Sequence, residues 1–125
     1  MAIYGIGTDI LRIERGQALH QRYGDRAADK LLMPEERPGF EAARDRGRYL
    51  ARAFAAKEAF VKALGTGFTG VGYREAGAVR EPDERPRLVF SAGMQQRLQA
   101  LGIVRCHLSF SDEGGFICAF VVLET

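Results

Sequence analysis

The 125-residue chain is short of most features that would assign it quickly. It has no run of about 18 apolar residues, so no stretch reads as a membrane span. Its opening, MAIYGIGTDILRIE, lacks the basic segment of a signal peptide. Its two cysteines, Cys106 and Cys118, have neither CxxC nor zinc-site spacing. They read as buried thiols in a reducing compartment, and a cytoplasmic location is the expectation. Charge of one sign is scarce too. A net charge of +2, with no interleaving of basic and aromatic residues, gives no footprint for nucleic acid. Gly5-x-Gly7 lacks the third glycine and following helix of a dinucleotide fingerprint, and there is no GK[ST] phosphate loop. Repeats, linkers and low-complexity stretches are missing as well. Apolar content of 46% and charged content of 27% are those of one ordinary globular domain over 1–125.

What is present is one long helical pattern, Arg48–Gly67. From Tyr49 to Leu64 there is no Pro or Gly and there are six alanines, which predicts a single helix stopped by Gly65. At about 100° per residue, Leu50, Ala53, Phe54, Phe60, Val61 and Leu64 gather on one face. Ala51, Ala55 and Ala59 make a second face on which another backbone could pack closely. A helix apolar on two sides is central, so its charged residues are informative. Lys57 falls within the apolar stripe, where a bare ammonium is costly. Glu58 and Lys62 form an i,i+4 pair on the border. Two readings stand: a surface ion pair with Lys57 snorkelling past Phe54 and Val61, or a cation held by Glu58 with both lysines facing phosphate.

The rest of the chain frames this helix. Ala2–Ile10 reads as a strand whose glycines mark the close approach of a backbone or ligand. Asp9 is disfavoured there and serves either as a cap for the next helix or as a ligand. Leu11–Tyr23 reads as a helix bent or interrupted near Gly16. Its Arg15 and Arg22, with Arg26, form either a solvated basic face or a docking surface for an acidic partner. Short helices follow over Arg26–Met33 and from Pro34. Phe68–Gly72 reads as a mobile glycine-rich loop, Tyr73–Arg80 and Pro86–Phe90 as a hairpin, and Ala92–Leu101 as a helix capped by Ser91. Val104–Phe110 alternates, S-D-E-G-G turns, and Phe116–Leu123 is apolar throughout, a strand expected to be buried on both faces. A second subunit is one source of that cover. The order β-α-α-α-β-β-α-β-β implies an α+β fold, a small antiparallel sheet with a long central helix.

Asp9 and Glu58, two carboxylates in apolar surroundings, are what a hard cation such as Mg²⁺ needs beside water and phosphate. Neighbouring lysines would neutralise phosphate, and the loop after the helix could close over it. G-I-G-T-D-I at 5–10, F-A-A-K-E-A at 54–59 with K-A-L-G-T-G at 62–67, and H-L-S-F-S-D at 107–112 together resemble the bacterial holo-acyl-carrier-protein synthases. These are the small members of the 4′-phosphopantetheinyl transferase superfamily, and the match runs the whole chain. The resemblance implies transfer of 4′-phosphopantetheine from coenzyme A to a serine of apo acyl carrier protein, in fatty acid synthesis, leaving adenosine 3′,5′-bisphosphate. It also implies Mg²⁺-dependent homotrimers with active sites between subunits. By position, Asp9 and Glu58 match the metal ligands, Lys62 the lysine near the diphosphate, and Lys57 the signature lysine. Gly65, Thr66 and Gly67 would wall the ligand, and Arg15 and Arg22 would meet the acidic carrier. Either Glu58 or a metal-held water would deprotonate the serine.

Three departures stand out. Asp112 replaces the histidine that many members carry, and is read either as an outer-shell partner of the metal or as a turn aspartate. Ala53 stands where the family often has Arg; Arg52, one position earlier, points about 100° away on the helix, so that role is not carried over. The 3′-phosphate ligands have no fixed register, and Arg44 and Arg46 are the candidates, acting on a neighbouring subunit's ligand. The competing readings are a non-catalytic module that binds coenzyme A or carrier protein, and a structural trimer in which Glu58–Lys62 has no chemical role.

Overall fold

The long helix forms and begins earlier than its alanine run implies. The computed structural model describes all residues, Met1–Thr125. Helix α4 spans Arg46–Leu64, capped by Asp45, whose carboxylate accepts the Arg48 N–H at 2.9 Å. That bond holds the Asp45 carboxyl below the usual carboxylate range. Gly65 ends the helix at φ 88°, its N–H turned on the carbonyls of Val61 and Lys62. Before α4 come β1 (Ile3–Arg12), α1 (Ile13–Tyr23), α2 (Ala27–Leu31) and α3 (Arg37–Ala42). After it come β2 (Ala76–Arg80), β3 (Pro86–Phe90), α5 (Ala92–Ala100), β4 (Arg105–Glu113) and β5 (Phe116–Glu124). The antiparallel sheet runs β1-β5-β4, and β2-β3 is a separate hairpin. The fold is α+β, as expected, with one more helix before the hairpin than the predicted order.

Glycine meets alanine where β1 crosses α4. A Cβ on Gly7 would lie 1.9 Å from the Ala59 carbonyl oxygen, and one on Gly5 1.9 Å from that of Ala63. The alanine face therefore takes a backbone, and the strand glycines serve backbone contact rather than a ligand. A second crossing corrects the expected bend in α1. Gly16 lies within an unbroken helix, and a Cβ there would lie 2.1 Å from the Gly47 carbonyl oxygen, so the glycine admits α4 closely.

Strand β1 runs on to Arg12, pairing Ile10, Leu11 and Arg12 with Cys118, Ile117 and Phe116. Asp9 is thus mid-strand, which removes its reading as a helix cap. The β4–β5 turn is only Gly114-Gly115, at φ 60° and 84°, as a two-residue hairpin turn requires. Ser111, Asp112 and Glu113, expected in the turn, belong to β4. In β5, Ile117, Ala119, Val121 and Leu123 pack in the core against α4. The expectation of burial on both faces fails within one chain: Phe120 is 43% exposed, and beside it on β1 Ile10 is 65% and Ile6 54% exposed. A smaller core of Ala27, Ala28, Leu31, Leu32, Phe40, Leu50 and Ala53 lies under α2 and α3. No helix is long and apolar enough to cross a membrane.

Candidate functional site

Asp9 in mid-β1 and Glu58 and Lys62 on α4 come together because the glycine–alanine crossing presses strand and helix into contact. The Lys62 ammonium donates to the Thr8 carbonyl at 3.0 Å and to Asp9 Oδ1 at 3.2 Å. The i,i+4 ion pair expected between Glu58 and Lys62 is not formed; Lys62 turns to the strand instead. Burial raises the proton affinity of Glu58, the Asp9 charge raises it further, and Lys62 and Arg15 oppose both. Asp9, Glu58, Lys62 and Arg15 thus share one field. No group of three or more His, Cys, Asp or Glu side chains gathers as a ready metal cage. Two carboxylates are nevertheless the protein's usual share for Mg²⁺, which keeps water and substrate phosphate as its other ligands.

Lys57, expected at the phosphate, is not brought to this group. Its ammonium is buried and donates to Glu36 Oε1 and to the Ala76 carbonyl, both at 2.6 Å. It does not snorkel either, being 1% exposed. At the C-terminus of α4 the N–H groups of Gly65, Thr66 and Gly67 all turn on the Val61 carbonyl, at 3.1–3.2 Å. The loop that follows has anchors of its own: Val71 is buried and the rings of Phe68 and Tyr73 lie 4.6 Å apart. Arg46 is committed to the fold, bonding Asp25 at 2.6 Å and the Glu41 carbonyl at 2.9 Å, over the ring of Phe40. Arg15 and Arg22 are exposed on α1.

A second charged region lies where α4 faces the hairpin and β4. A cleft of about 990 Å³ is lined by Arg48, Arg52 and Arg80, with Arg87 and His107 and the carboxylates Glu81, Asp83 and Asp112, of which Glu81 pairs with Arg87. A smaller one of about 600 Å³ shares the first three arginines and adds Arg44 and Ala53. Arg52 lies over the Phe110 ring, 4.3 Å from its centroid, with no carboxylate in ion-pair range. Burial, aided by the Arg80 charge, lowers its pKa to about 10. Asp112 reaches across from β4 to pair with Arg48, so it is neither a turn residue nor a neighbour of Glu58. Such a convergence of guanidinium groups suits phosphate, which they bind in a planar, bidentate manner.

Arg48 and Arg80 lie outside the residues singled out by the sequence, and helical phase kept Arg52 out as well. Arg48 and Arg52 at i,i+4 were a readable signal; Arg80 arrives through the hairpin, with no local pattern to mark it. Ala53 is 4% exposed, packed beside Leu50 at the edge of the smaller core and forming part of the wall of the smaller cleft. Neither cleft is lined by Asp9, Glu58 or Lys62, so the two charge centres stand apart on one chain.

Similarity to known proteins covers the whole of this arrangement. A family model described as the 4′-phosphopantetheinyl transferase superfamily matches residues 5–121. A Dechloromonas aromatica (strain RCB) protein named holo-acyl-carrier-protein synthase is 45% identical over 122 residues, covering 98% of each chain. The crystal structure of holo-acyl-carrier-protein synthase from Neisseria meningitidis superposes with a TM-score of 0.92 at 42% identity, over 99% of this chain and 100% of that one. That of the Helicobacter pylori holo-acyl-carrier-protein synthase, in complex with coenzyme A, gives 0.81 at 27% identity, over 95% of this chain and 99% of that one.

Proposed function

The chain belongs to the 4′-phosphopantetheinyl transferase superfamily, and from that premise we propose that it moves 4′-phosphopantetheine from coenzyme A to a serine of apo acyl carrier protein. The observation that carries this reading is the meeting of Asp9, from β1, with Glu58 and Lys62, from α4. Asp9 and Glu58 would hold Mg²⁺, which when bound neutralises the diphosphate. Lys62, half exposed beside them, offers its ammonium to a diphosphate oxygen. The serine proton goes to Glu58, directly or through a water beside it. The serine Oγ–phosphorus bond forms at the β-phosphate as the bridging P–O bond breaks. Adenosine 3′,5′-bisphosphate leaves with that oxygen.

The arginine cleft supplies the rest. Arg48, Arg52 and Arg80 take the 3′-phosphate end of coenzyme A, with Arg44 at the rim of the smaller cleft. Because the two centres stand apart on one chain, a ligand spanning them is shared between copies. The apolar outer sheet face at Ile6, Ile10 and Phe120 is where three copies meet. Arg15 and Arg22, exposed on α1, would meet the acidic carrier, and a cytoplasmic role in fatty acid synthesis belongs to the same reading.

Intact-mass measurement of an apo carrier protein with enzyme, coenzyme A and Mg²⁺ tests the proposal. A gain of one phosphopantetheine group is expected. No gain with any cognate carrier would leave only a coenzyme A- or carrier-binding module.

A further inference from the structure

Glu36 and Lys57 are the two buried charged residues of the chain, 0% and 1% exposed. Burying a pair of charges is costly, and apolar residues of the same volume often stabilise a fold equally well. The pair therefore calls for an account beyond stability, and β2 supplies one. The hairpin of β2 and β3 joins no larger sheet, so β2 keeps one free edge. On that edge the Ala76 carbonyl accepts from Lys57 Nζ at 2.6 Å, and the Ala78 N–H donates to Glu36 Oε2 at 3.1 Å. One donor and one acceptor two residues apart are what a neighbouring strand would offer. Glu36 Oε1 is bonded in turn by Lys57 at 2.6 Å and by the Met33 N–H at 3.0 Å, and the Glu36 carbonyl accepts from the Tyr49 hydroxyl at 2.8 Å. Between the two edge bonds, a Cβ on Gly77 would come within 2.5 Å of Glu36 Oε1, so β2 lies directly on the carboxylate.

A two-stranded hairpin is marginal by itself and its register is weakly specified. Here one alignment satisfies the carbonyl of residue 76, the N–H of residue 78 and both charges. Residue 80, two further along, then projects on the same face as 76 and 78. That residue is Arg80, which lines the cleft together with Arg48 and Arg52 of α4 and donates to the Glu84 carbonyl of its own hairpin at 2.9 Å. We propose that Glu36 and Lys57 are positioning residues: an ion pair standing in for a missing strand, which fixes the hairpin against α4 and so sets the spacing of Arg80 from Arg52 and Arg48. The proposal rests on the reading that this cleft takes the 3′-phosphate end of coenzyme A. Neither residue touches the ligand.

The test is the double substitution Glu36→Gln with Lys57→Met, which leaves no unpaired buried charge and keeps an acceptor for a backbone N–H. A merely structural pair would lower the melting temperature, with affinity unchanged in whatever remains folded. A positioning pair gives a different split. Calorimetric affinity for adenosine 3′,5′-bisphosphate falls by about 10-fold, KM for coenzyme A rises by a similar factor, kcat at saturation stays within about 3-fold, and exchange of the Ala78 amide quickens. A folded double variant with wild-type affinity overturns the proposal. Arg80→Ala separates it from the cleft reading. If Arg80→Ala binds the bisphosphate normally, the cleft is not the site and the role of the pair falls with it. If Arg80→Ala binds weakly while the double variant is unaffected, only the role of the pair falls. Should the double variant not fold, Gly77→Ala, which pushes β2 off an intact pair, carries the same expectation, and wild-type affinity there overturns it equally.

Discussion

The Lys62 ammonium bonds Asp9 on the crossing strand, 3.2 Å away, rather than Glu58 one turn back on its own helix. A pair that reads in the sequence as helix decoration is split between two elements. Glu58 is left without a direct counter-ion, half buried, beside a second carboxylate. That is a costly arrangement for the apo chain and a favourable one for a cation.

Asp9→Ala should reduce turnover by at least about 100-fold while leaving the circular dichroism and melting temperature close to wild type. Its side chain, 15% exposed, pairs with Lys62, and Lys62 keeps the Thr8 carbonyl as a partner. Wild-type turnover in this variant would remove Asp9 from the site.

Glu58→Gln should abolish turnover without loss of stability. Burial and the Asp9 charge hold the folded-state pKa of Glu58 above its ordinary 4.5, so the folded chain binds this proton more tightly than the unfolded one. Stability tied to Glu58 is therefore full below the ordinary range and declines as pH rises through the raised value. At neutral pH the glutamine variant is expected to melt at or above the wild-type temperature. A lower melting temperature with turnover retained would mean that Glu58 is structural.

Gly7→Ala and Gly93→Ala should differ in sign. A Cβ on Gly7 meets the Ala59 carbonyl at 1.9 Å, backbone against backbone, whereas one on Gly93 in α5 meets nothing within 4 Å. The first should destabilise by about 3 kcal/mol or more; the second should stabilise by about 0.5–1 kcal/mol. Urea midpoints of the two variants check this, and equal midpoints would deny the close crossing of β1 on α4.

Phe120→Asp should convert the protein to a monomer. The outer sheet face carries Ile6, Ile10 and Phe120 open to solvent in one chain. A carboxylate at its centre would be buried unpaired in any assembly through that face. Sedimentation at micromolar concentration should show an oligomer for the wild type and a monomer for the variant, with turnover lost in parallel. A wild-type monomer would sink the shared-site reading.

Much of the candidate site was legible because its signals are local. An aspartate inside a strand pattern and a charged pair on an alanine-rich helix can be read from neighbours alone. The strand glycines and helical alanines were legible too, as surfaces prepared for close approach. Lys57 shows where such reading stops. Its misfit in the apolar stripe was visible, but its partner lies 21 residues upstream in Pro34-Glu35-Glu36, where nothing local says which glutamate turns inward. Arg52 was set aside on helical phase alone, yet the cleft it enters is made by a hairpin and a strand from the other half of the chain.

The sequence by itself determined helix α4, its glycine stop, the glycine–alanine surfaces and the motif that names the family, because these depend on backbone propensity, steric size and residue order. Only the tertiary structure decided the partners: Lys62 with Asp9, Lys57 with Glu36, Arg46 with Asp25, and Arg52 with no carboxylate at all. The physical reason is that a charge chooses its partner when it loses water. That loss happens only once segments far apart in the chain have packed together.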